Sequence, residues 1–248
     1  ALNESRLTAW FQPVVNADGH APIALEALAR WHEPGRGWIP PVRFIAVAEH
    51  EGQILELDLA VMRFACAAFS VFTDLCPGLA LHLNVSARTL ADPRFVQYFD
   101  AMLAATGVAG TCLCLEITES DLNTPAQELE PGLQALASRG VRLAVDDFGV
   151  GASSLGRVSQ IAPHALKIDG SFVRDLEGKG GRICRAIVEL SRELGMLTVA
   201  EYVERDEQAA TLLQMGCNAL QGYGISAPLP GDEMLEWLRS RVARPRPQ

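Results

Sequence analysis

The stretch CLCLEITESDLNTPAQELEPGLQALASRGVRLAVDDFGVG (residues 112–151) reads as strand, helix, strand, and that reading decides the fold. CLCLEIT (112–118) and VRLAVDD (141–147) are short apolar runs that close on acidic residues. Between them AQELEPGLQALASRG (126–140) places apolar residues at helical spacing and stops at Gly140, a helix-end signal. Two strands joined by a crossover helix lie parallel in one sheet.

Working outward, the same alternation recurs. Strands are expected at ALHLNVS (80–86), HALKID (164–169), LTVAEYV (197–203) and NALQGY (218–223). Helical patterns occupy PVRFIAVAEHEG (41–52), LELDLAVMRFACAAFSVF (55–72), DPRFVQYFDAMLAATG (92–107), SSLGRVSQI (153–161), RICRAIVELSRELG (182–195) and RDEQAATLLQMG (205–216). The first two strands, WFQPVV (10–15) and IALEALARW (23–31), break the rule. Only about seven residues around Asp18-Gly19 separate them, too few for a crossover helix and suited to a hairpin. Eight strands of this kind predict an α/β fold: a TIM-like (β/α)8 barrel whose first strand is antiparallel to the rest. No Pro/Gly/Ser-rich linker divides the chain, so one domain is expected over 1–243, with RPRPQ (244–248) as a flexible C-terminal tail.

Composition narrows the function. With 49% hydrophobic and 21% charged residues, the 248-residue chain reads as globular. Lys+Arg 21 against Asp+Glu 30 gives a net charge of −9, which argues against a nucleic-acid polymer as partner. An anionic substrate then needs metal ions or a local cation. No apolar run approaches the roughly 18 residues of a membrane span, and ALNESRLTAWFQP has no secretory pattern. A cytoplasmic location without membrane contact by this domain is expected, although other domains of a longer chain are able to anchor it. Six cysteines without a CxxC pair fit a reducing compartment. Cys112 and Cys114, two apart on one strand, read as small buried side chains sharing a face.

The chemical signal is the position of the acids. Glu26 lies in the second strand, Asn84 near the end of the third and Glu116 near the end of the fourth. Asp146 and Asp147 close the fifth, Lys167 and Asp169 the sixth and Glu201 the seventh, and Gln221 sits on the eighth. A single strand-end acid is most often a cap or an ion-pair partner. In a barrel, however, the strand C-termini converge on one face, where barrel enzymes do their chemistry. Carboxylates gathered there repel one another unless cations lie between them. Hard oxygen donors suit Mg²⁺ or Mn²⁺, and a pair of such ions activates water for displacement at phosphorus. His82, alternating with Leu81 and Leu83, reads as a packed, satisfied imidazole, and Trp31 reads as packing, although it follows Arg30 closely enough to border the site.

ALEALARW (24–31), LNVSART (83–89), LEITE (115–119), DDFGVG (146–151), LKID (166–169), AEYVE (200–204) and LQGY (220–223) resemble the EAL-domain family in identity and order. FQPVV (11–15) and SAPLP (226–230) extend the resemblance over nearly the whole chain. The resemblance implies a bacterial second-messenger enzyme that hydrolyses cyclic di-GMP to linear pGpG with two Mg²⁺ or Mn²⁺ ions. By motif, Glu26, Asn84, Glu116 and Asp146 would hold one ion, and Asp146, Asp147 and Glu201 the other. Lys167 would lie beside the attacking water, with a lowered pKa next to two cations, as base or as charged donor. Gln221 would orient the water or a ligand, and Glu119 would anchor the DDFGVG loop. Gln12, Leu28, Arg30, Glu204 and Pro228 would contact substrate; for Arg30, a salt bridge to Glu33 is the competing role.

The family also implies sensory or GGDEF domains in a longer chain, and a homodimer through helices near 146–151 is expected. The chain departs from the family pattern at Val150 for a small polar residue, Tyr202 for Gly, and Gly170, Gly224 and Ala227. Tyr202 puts the placement of Glu201 in question, and Val150 removes a hydroxyl from the loop. The alternatives are a receptor that holds cyclic di-GMP without cleaving it and an unrelated barrel lyase. The first would show lost acids, and none is lost; the second leaves the ordered motifs unexplained.

Overall fold

β1 (Leu7–Asn16) and β2 (Pro22–Glu33) form an antiparallel hairpin, with Leu7 opposite Trp31 and Gln12 opposite Glu26. Asn16 closes it, donating its N–H to the Ala21 carbonyl and accepting the Ala21 N–H on Oδ1, both at 2.9 Å. The structure, a computed structural model, describes residues 6–18, 21–151 and 155–242. Gly19 of the hairpin turn, Ser153 and Ser154 of the SSLGRVSQI pattern and the expected tail lie outside the described residues.

Beyond β3 (Gly37–Ile39) follow β4 (Ala80–Asn84), β5 (Leu113–Thr118), β6 (Arg142–Phe148), β7 (Ala165–Ile168), β8 (Leu197–Ala200) and β9 (Ala219–Leu220). β2 pairs in parallel with β4, and each strand from β4 to β9 pairs in parallel with the next. β9 then pairs antiparallel with β1, which closes an eight-stranded ring. β1 runs against both of its neighbours. The expected barrel and its antiparallel first strand are therefore both present.

β3 was not anticipated. It folds back on β2 after Pro34-Gly35, with Trp31 opposite Ile39, and lies outside the closed ring. A three-residue strand carries too little periodicity to be read from sequence.

The helices are α1 (Pro41–His50), α2 (Ile54–Leu75), α3 (Ala87–Ala91), α4 (Phe95–Thr106), α5 (Ala126–Ser138), α6 (Leu155–Ile161), α7 (Gly170–Arg174), α8 (Lys179–Glu193), α9 (Asp206–Met215) and α10 (Gly231–Val242). Seven match the expected patterns; α3, α7 and α10 are additions. α3 and α7 span five residues each and owe their starts to caps. The Ser86 hydroxyl accepts the Arg88 N–H, and the Asp169 carboxylate accepts the Ser171 N–H. Asp169 therefore serves as a helix cap beyond the end of β7. No helix among the described residues is long and apolar enough to cross a membrane.

Alternation along the strands sorts the side chains into two compartments. Outward-facing Leu25, Leu81, Leu83, Leu115, Val145 and Leu166 are fully buried in one cluster with Met62, Phe69, Phe72, Phe95 and Phe99. Each such side chain contributes about 1.5–3 kcal/mol by leaving water. Two small groups, Val14/Ala24/Ala80/Val199/Ala219 and Cys114/Ala144/Ala165, form separate buried clusters. Most of these lie two residues before a polar residue in or just past the same strand: Ala24 before Glu26, Cys114 before Glu116, Ala144 before Asp146, Ala165 before Lys167, Val199 before Glu201, Ala219 before Gln221. The barrel is plugged by small residues and carries its polar layer directly above them. Cys114 belongs to this plug, whereas Cys112 ends the 3-10 turn Gly110–Cys112 ahead of β5, so the two do not share a strand face. All six cysteines are free thiols.

Candidate active site

The polar layer opens into a cavity of about 820 Å³ at the strand C-termini. Glu26, Asn84, Glu116, Asp146, Asp147, Glu201 and Gln221 all line it. One oxygen from each of Glu26, Glu116 and Asp146 lies within 4.8 Å of the other two, and the same holds for Asp146, Asp147 and Glu201. Asp146 is common to both groups.

Lys167 is the hub. Its side chain is wholly buried, and Nζ lies 2.8 Å from Glu116, 2.8 Å from Glu201, 3.2 Å from Glu26 and 3.3 Å from Asp146. Burial alone would lower its pKa, but Asp146, Glu116, Glu201 and Glu26 together hold it well above its ordinary value. Among these four carboxylates Lys167 is held as an ammonium; the lowering expected for it concerns the site with two cations bound.

The carboxylates divide by their surroundings. Burial pushes the Glu26 carboxyl up, but Lys167 and hydrogen bonds from Asn84 and Gln221 outweigh it and hold it at about 2. Burial raises Glu116 and Glu201 well above the ordinary glutamate range, and the acids around them add to it. Asp147 is raised to about 6 by burial and by Asp146 and Asp169. One ammonium does not neutralise this many carboxylates, so protons are retained where the charge is least compensated.

Amides and an imidazole complete the layer. Asn84 Nδ2 donates to Glu26 Oε1 at 2.9 Å, which leaves its oxygen as acceptor. Gln221 Nε2 donates to Glu26 Oε2 at 2.7 Å and to Gln12 Oε1 at 3.3 Å, while Gln12 Nε2 donates to the Ser226 carbonyl. Gln221 Oε1 is buried without a hydrogen-bond partner. His82 Nδ1 lies 2.6 Å from Glu116 Oε1. Burial, reinforced by Lys167, lowers His82 to about 4, so it is a neutral ring sharing a hydrogen bond with Glu116. A packed, satisfied imidazole is what the sequence suggests for His82; Glu116 as its partner was not foreseen. The signal was available, because His82 and Asn84 are two apart on β4 and share its inward face.

The donor set fits divalent cations of the Mg²⁺ or Mn²⁺ type. It consists of carboxylate and amide oxygens, with a buried amide oxygen that no group among the described residues satisfies.

The loop after β6 rests on Glu119. This buried carboxylate accepts the Gly149 N–H at 2.9 Å and the Gly151 N–H at 2.8 Å. A side chain at Gly151 would press on the Glu119 carboxylate, at 2.8 Å from its carbon. Val150 is 63% exposed, so the hydroxyl missing there is replaced by a methyl in solvent.

Gln12, Leu28, Arg30, Glu204 and Pro228 all line the cavity. The Arg30 guanidinium sits 5.2 Å from the Trp10 ring centroid and donates to the Ala29 carbonyl. Glu33, the competing partner, instead pairs with Arg6 at 2.7 Å. Trp31 does not border the cavity; β2 aims it at Phe44 of α1, 5.5 Å between centroids. Next to Tyr202, the Glu201 carboxylate lies 2.8 Å from Lys167 and within the group that it forms with Asp146 and Asp147. The tyrosine itself takes the left-handed conformation, φ 54°, that a Gly would take there without strain.

A family model described as EAL domain matches residues 1–228. The chain is 35% identical over 233 residues to the probable cyclic di-GMP phosphodiesterase PdeI of Escherichia coli strain K12, covering 93% of this chain and 30% of that protein. It is 36% identical over 244 residues to the cyclic di-GMP phosphodiesterase NbdA of Pseudomonas aeruginosa, covering 97% of this chain and 31% of that one. The chain therefore spans about three-tenths of the length of these curated relatives. Among solved structures, the PaMucR phosphodiesterase in its c-di-GMP complex matches with a TM-score of 0.88 at 33% identity, over 94% of this chain and 96% of that one.

Proposed function

The chain belongs to the EAL domain family, and we propose that it is a phosphodiesterase that opens cyclic di-GMP to linear pGpG. The observation that carries this reading is Asp146 shared between two groups of converging carboxylate oxygens. Glu26, Asn84, Glu116 and Asp146 would hold one divalent cation, and Asp146, Asp147 and Glu201 a second. Such a pair, Mg²⁺ or Mn²⁺, supplies a water activated near neutral pH for attack at phosphorus.

The chain's own residues do the rest. Gln221 Oε1 is the acceptor that orients the attacking water, because its Nε2 is already committed to Glu26. Lys167 Nζ, within reach of Glu116 and Glu201, holds the carboxylates in place and would serve beside the bound cations as base or as charged donor. Arg30 offers its fork to a phosphate oxygen. Glu119 holds the loop that carries Asp147. Gln12, Leu28, Glu204 and Pro228 form the remaining substrate wall. This unit would act in the cytoplasm, within a longer chain bearing sensory or GGDEF domains and paired through helices near 146–151.

Turnover of cyclic di-GMP with Mg²⁺ or Mn²⁺, resolved by chromatography, tests the reading directly. The wild type is expected to yield pGpG, and Glu26→Ala, which removes the acceptor of Asn84, Gln221 and Lys167, none. Binding without product from the wild type would make the domain a receptor.

Metal affinity is also expected to depend on pH. Glu116 and Glu201, raised by burial, and Asp147, at about 6, must ionise to accept a cation, so each proton displaced makes binding tighter as pH rises. Mn²⁺ affinity should climb as pH rises through about 6, where Asp147 ionises, and beyond it, by about tenfold per unit for each proton released. Calorimetry in buffers of different ionisation heat counts those protons. A flat affinity with none released would contradict the assigned ligands.

A further inference from the structure

Two of the departures from the family pattern, Tyr202 and Gly170, touch each other. A Cβ on Gly170 would overlap Cδ2 and Cγ of the Tyr202 ring and come 2.7 Å from its Cβ, so the tyrosine occupies the space that any side chain at 170 would need. Arg174, four residues along α7 and hence on the same helix face, holds its guanidinium 4.9 Å from the ring centroid. The backbone on either side is pinned independently. The Glu201 N–H donates to the Ile168 carbonyl at 3.2 Å and the Val203 N–H to the Gln221 carbonyl at 3.0 Å. Tyr202 between them is left with φ 54°, a conformation unfavourable for a bulky residue.

The position therefore keeps a strained tyrosine and clears a seat for it. Yet the ring is not core: it is 51% exposed and lines the cavity beside Asp147 and Glu201. An aromatic ring held on one side by α7 and open on the other is a platform for another flat apolar surface.

We propose that Tyr202, seated on Gly170 and Arg174, is a substrate-specificity residue that packs against a purine base of the bound cyclic dinucleotide. This rests on the cyclic di-GMP reading above. The base that it meets belongs to the half of the ligand lying over Asp146, Asp147 and Glu201. The ring, not the hydroxyl, carries the contact, and Gly170 is required because it admits the ring.

Steady-state kinetics on cyclic di-GMP and Mn²⁺ affinity without substrate test this in four variants. Tyr202→Gly relieves the backbone and so folds; it should raise KM about tenfold, within the range of one base–aromatic contact, with kcat and Mn²⁺ affinity close to wild type. Tyr202→Phe should keep the wild-type KM. Gly170→Ala should raise KM by displacing the ring, and the double variant Gly170→Ala/Tyr202→Gly should be no worse than Tyr202→Gly alone, because one contact is lost only once. A wild-type KM in Tyr202→Gly overturns the proposal. So does a fall in kcat and Mn²⁺ affinity at unchanged KM, which would assign Tyr202 to holding Glu201. Fully additive effects of the two substitutions overturn it as well. A wild type that neither binds nor cleaves cyclic di-GMP removes the functional reading and this one with it, whereas an active wild type with an indifferent Tyr202→Gly removes this one alone.

Discussion

Asp146→Asn is expected to lower turnover of cyclic di-GMP by about 10³-fold or more, while leaving the fold in chelator intact or slightly stabilised. The side chain is isosteric, but an amide offers one oxygen donor where the carboxylate offers two, and Asp146 is the residue common to both oxygen clusters. Its loss would weaken both cation sites together. Paired cations supply several kcal/mol of charge stabilisation at the transition state, and about 4 kcal/mol corresponds to about 10³ in rate. Stability moves the other way because Asp146 is one of four carboxylates around a single ammonium, and the remaining three still satisfy Lys167. Asp147→Asn, which touches one cluster only, should cost less. Asp146→Asn within tenfold of wild-type turnover would refute the shared-ligand assignment.

Lys167→Met should lower the melting temperature in chelator by about 6–20 °C, and saturating Mn²⁺ should recover most of the loss without restoring turnover. Methionine matches the length of lysine but leaves Glu26, Glu116, Asp146 and Glu201 facing one another with no cation. Removing one partner of a buried ion cluster costs about 3–5 kcal/mol. In a chain of this size each kcal/mol moves the midpoint by about 2–4 °C.

The pH dependence has a definite sign. Lys167 is raised above its ordinary 10.5, so its contribution is complete below that value and is lost only as pH rises through the higher folded one. Glu116 and Glu201 are also raised, so their share of stability is complete below 4.5 and is lost as pH rises. The deficit of the variant should therefore narrow as pH falls toward 4.5, where these acids are protonated and stop repelling. An equal deficit with and without Mn²⁺ would show that Lys167 supports the fold by packing alone.

Much of this arrangement was legible residue by residue. Asp18-Gly19 between two alternating runs predicted the hairpin, and strand–helix alternation predicted the parallel ring, because both follow from chain length and period. The acids at successive strand ends pointed to one face. Other features left little mark. β3, α3 and α7 are too short to show a period and exist because a turn or a cap stabilises them. α10 (Gly231–Val242) is long enough to carry one and went unread, although Met234 and Leu238, four apart, are both fully buried.

By itself, then, the amino-acid sequence determined which residue types reach the barrel mouth, since alternation along a strand is a local property. It placed Glu26, Glu116, Asp146, Lys167 and Glu201 on the strands' functional face without fixing the distances among them. Only the tertiary structure decided that Lys167 Nζ lies among four carboxylates, that Asp146 serves two clusters, that His82 steadies Glu116, and that Tyr202 occupies the space left by Gly170. The physical reason is sequence separation. Lys167 and Glu26 stand 141 positions apart and Gln221 and Glu26 stand 195 apart, so their contacts depend on closure of the whole ring. The same closure sets the protonation of the site, because burial and neighbouring charges, not residue type, raise Glu116 and lower Glu26.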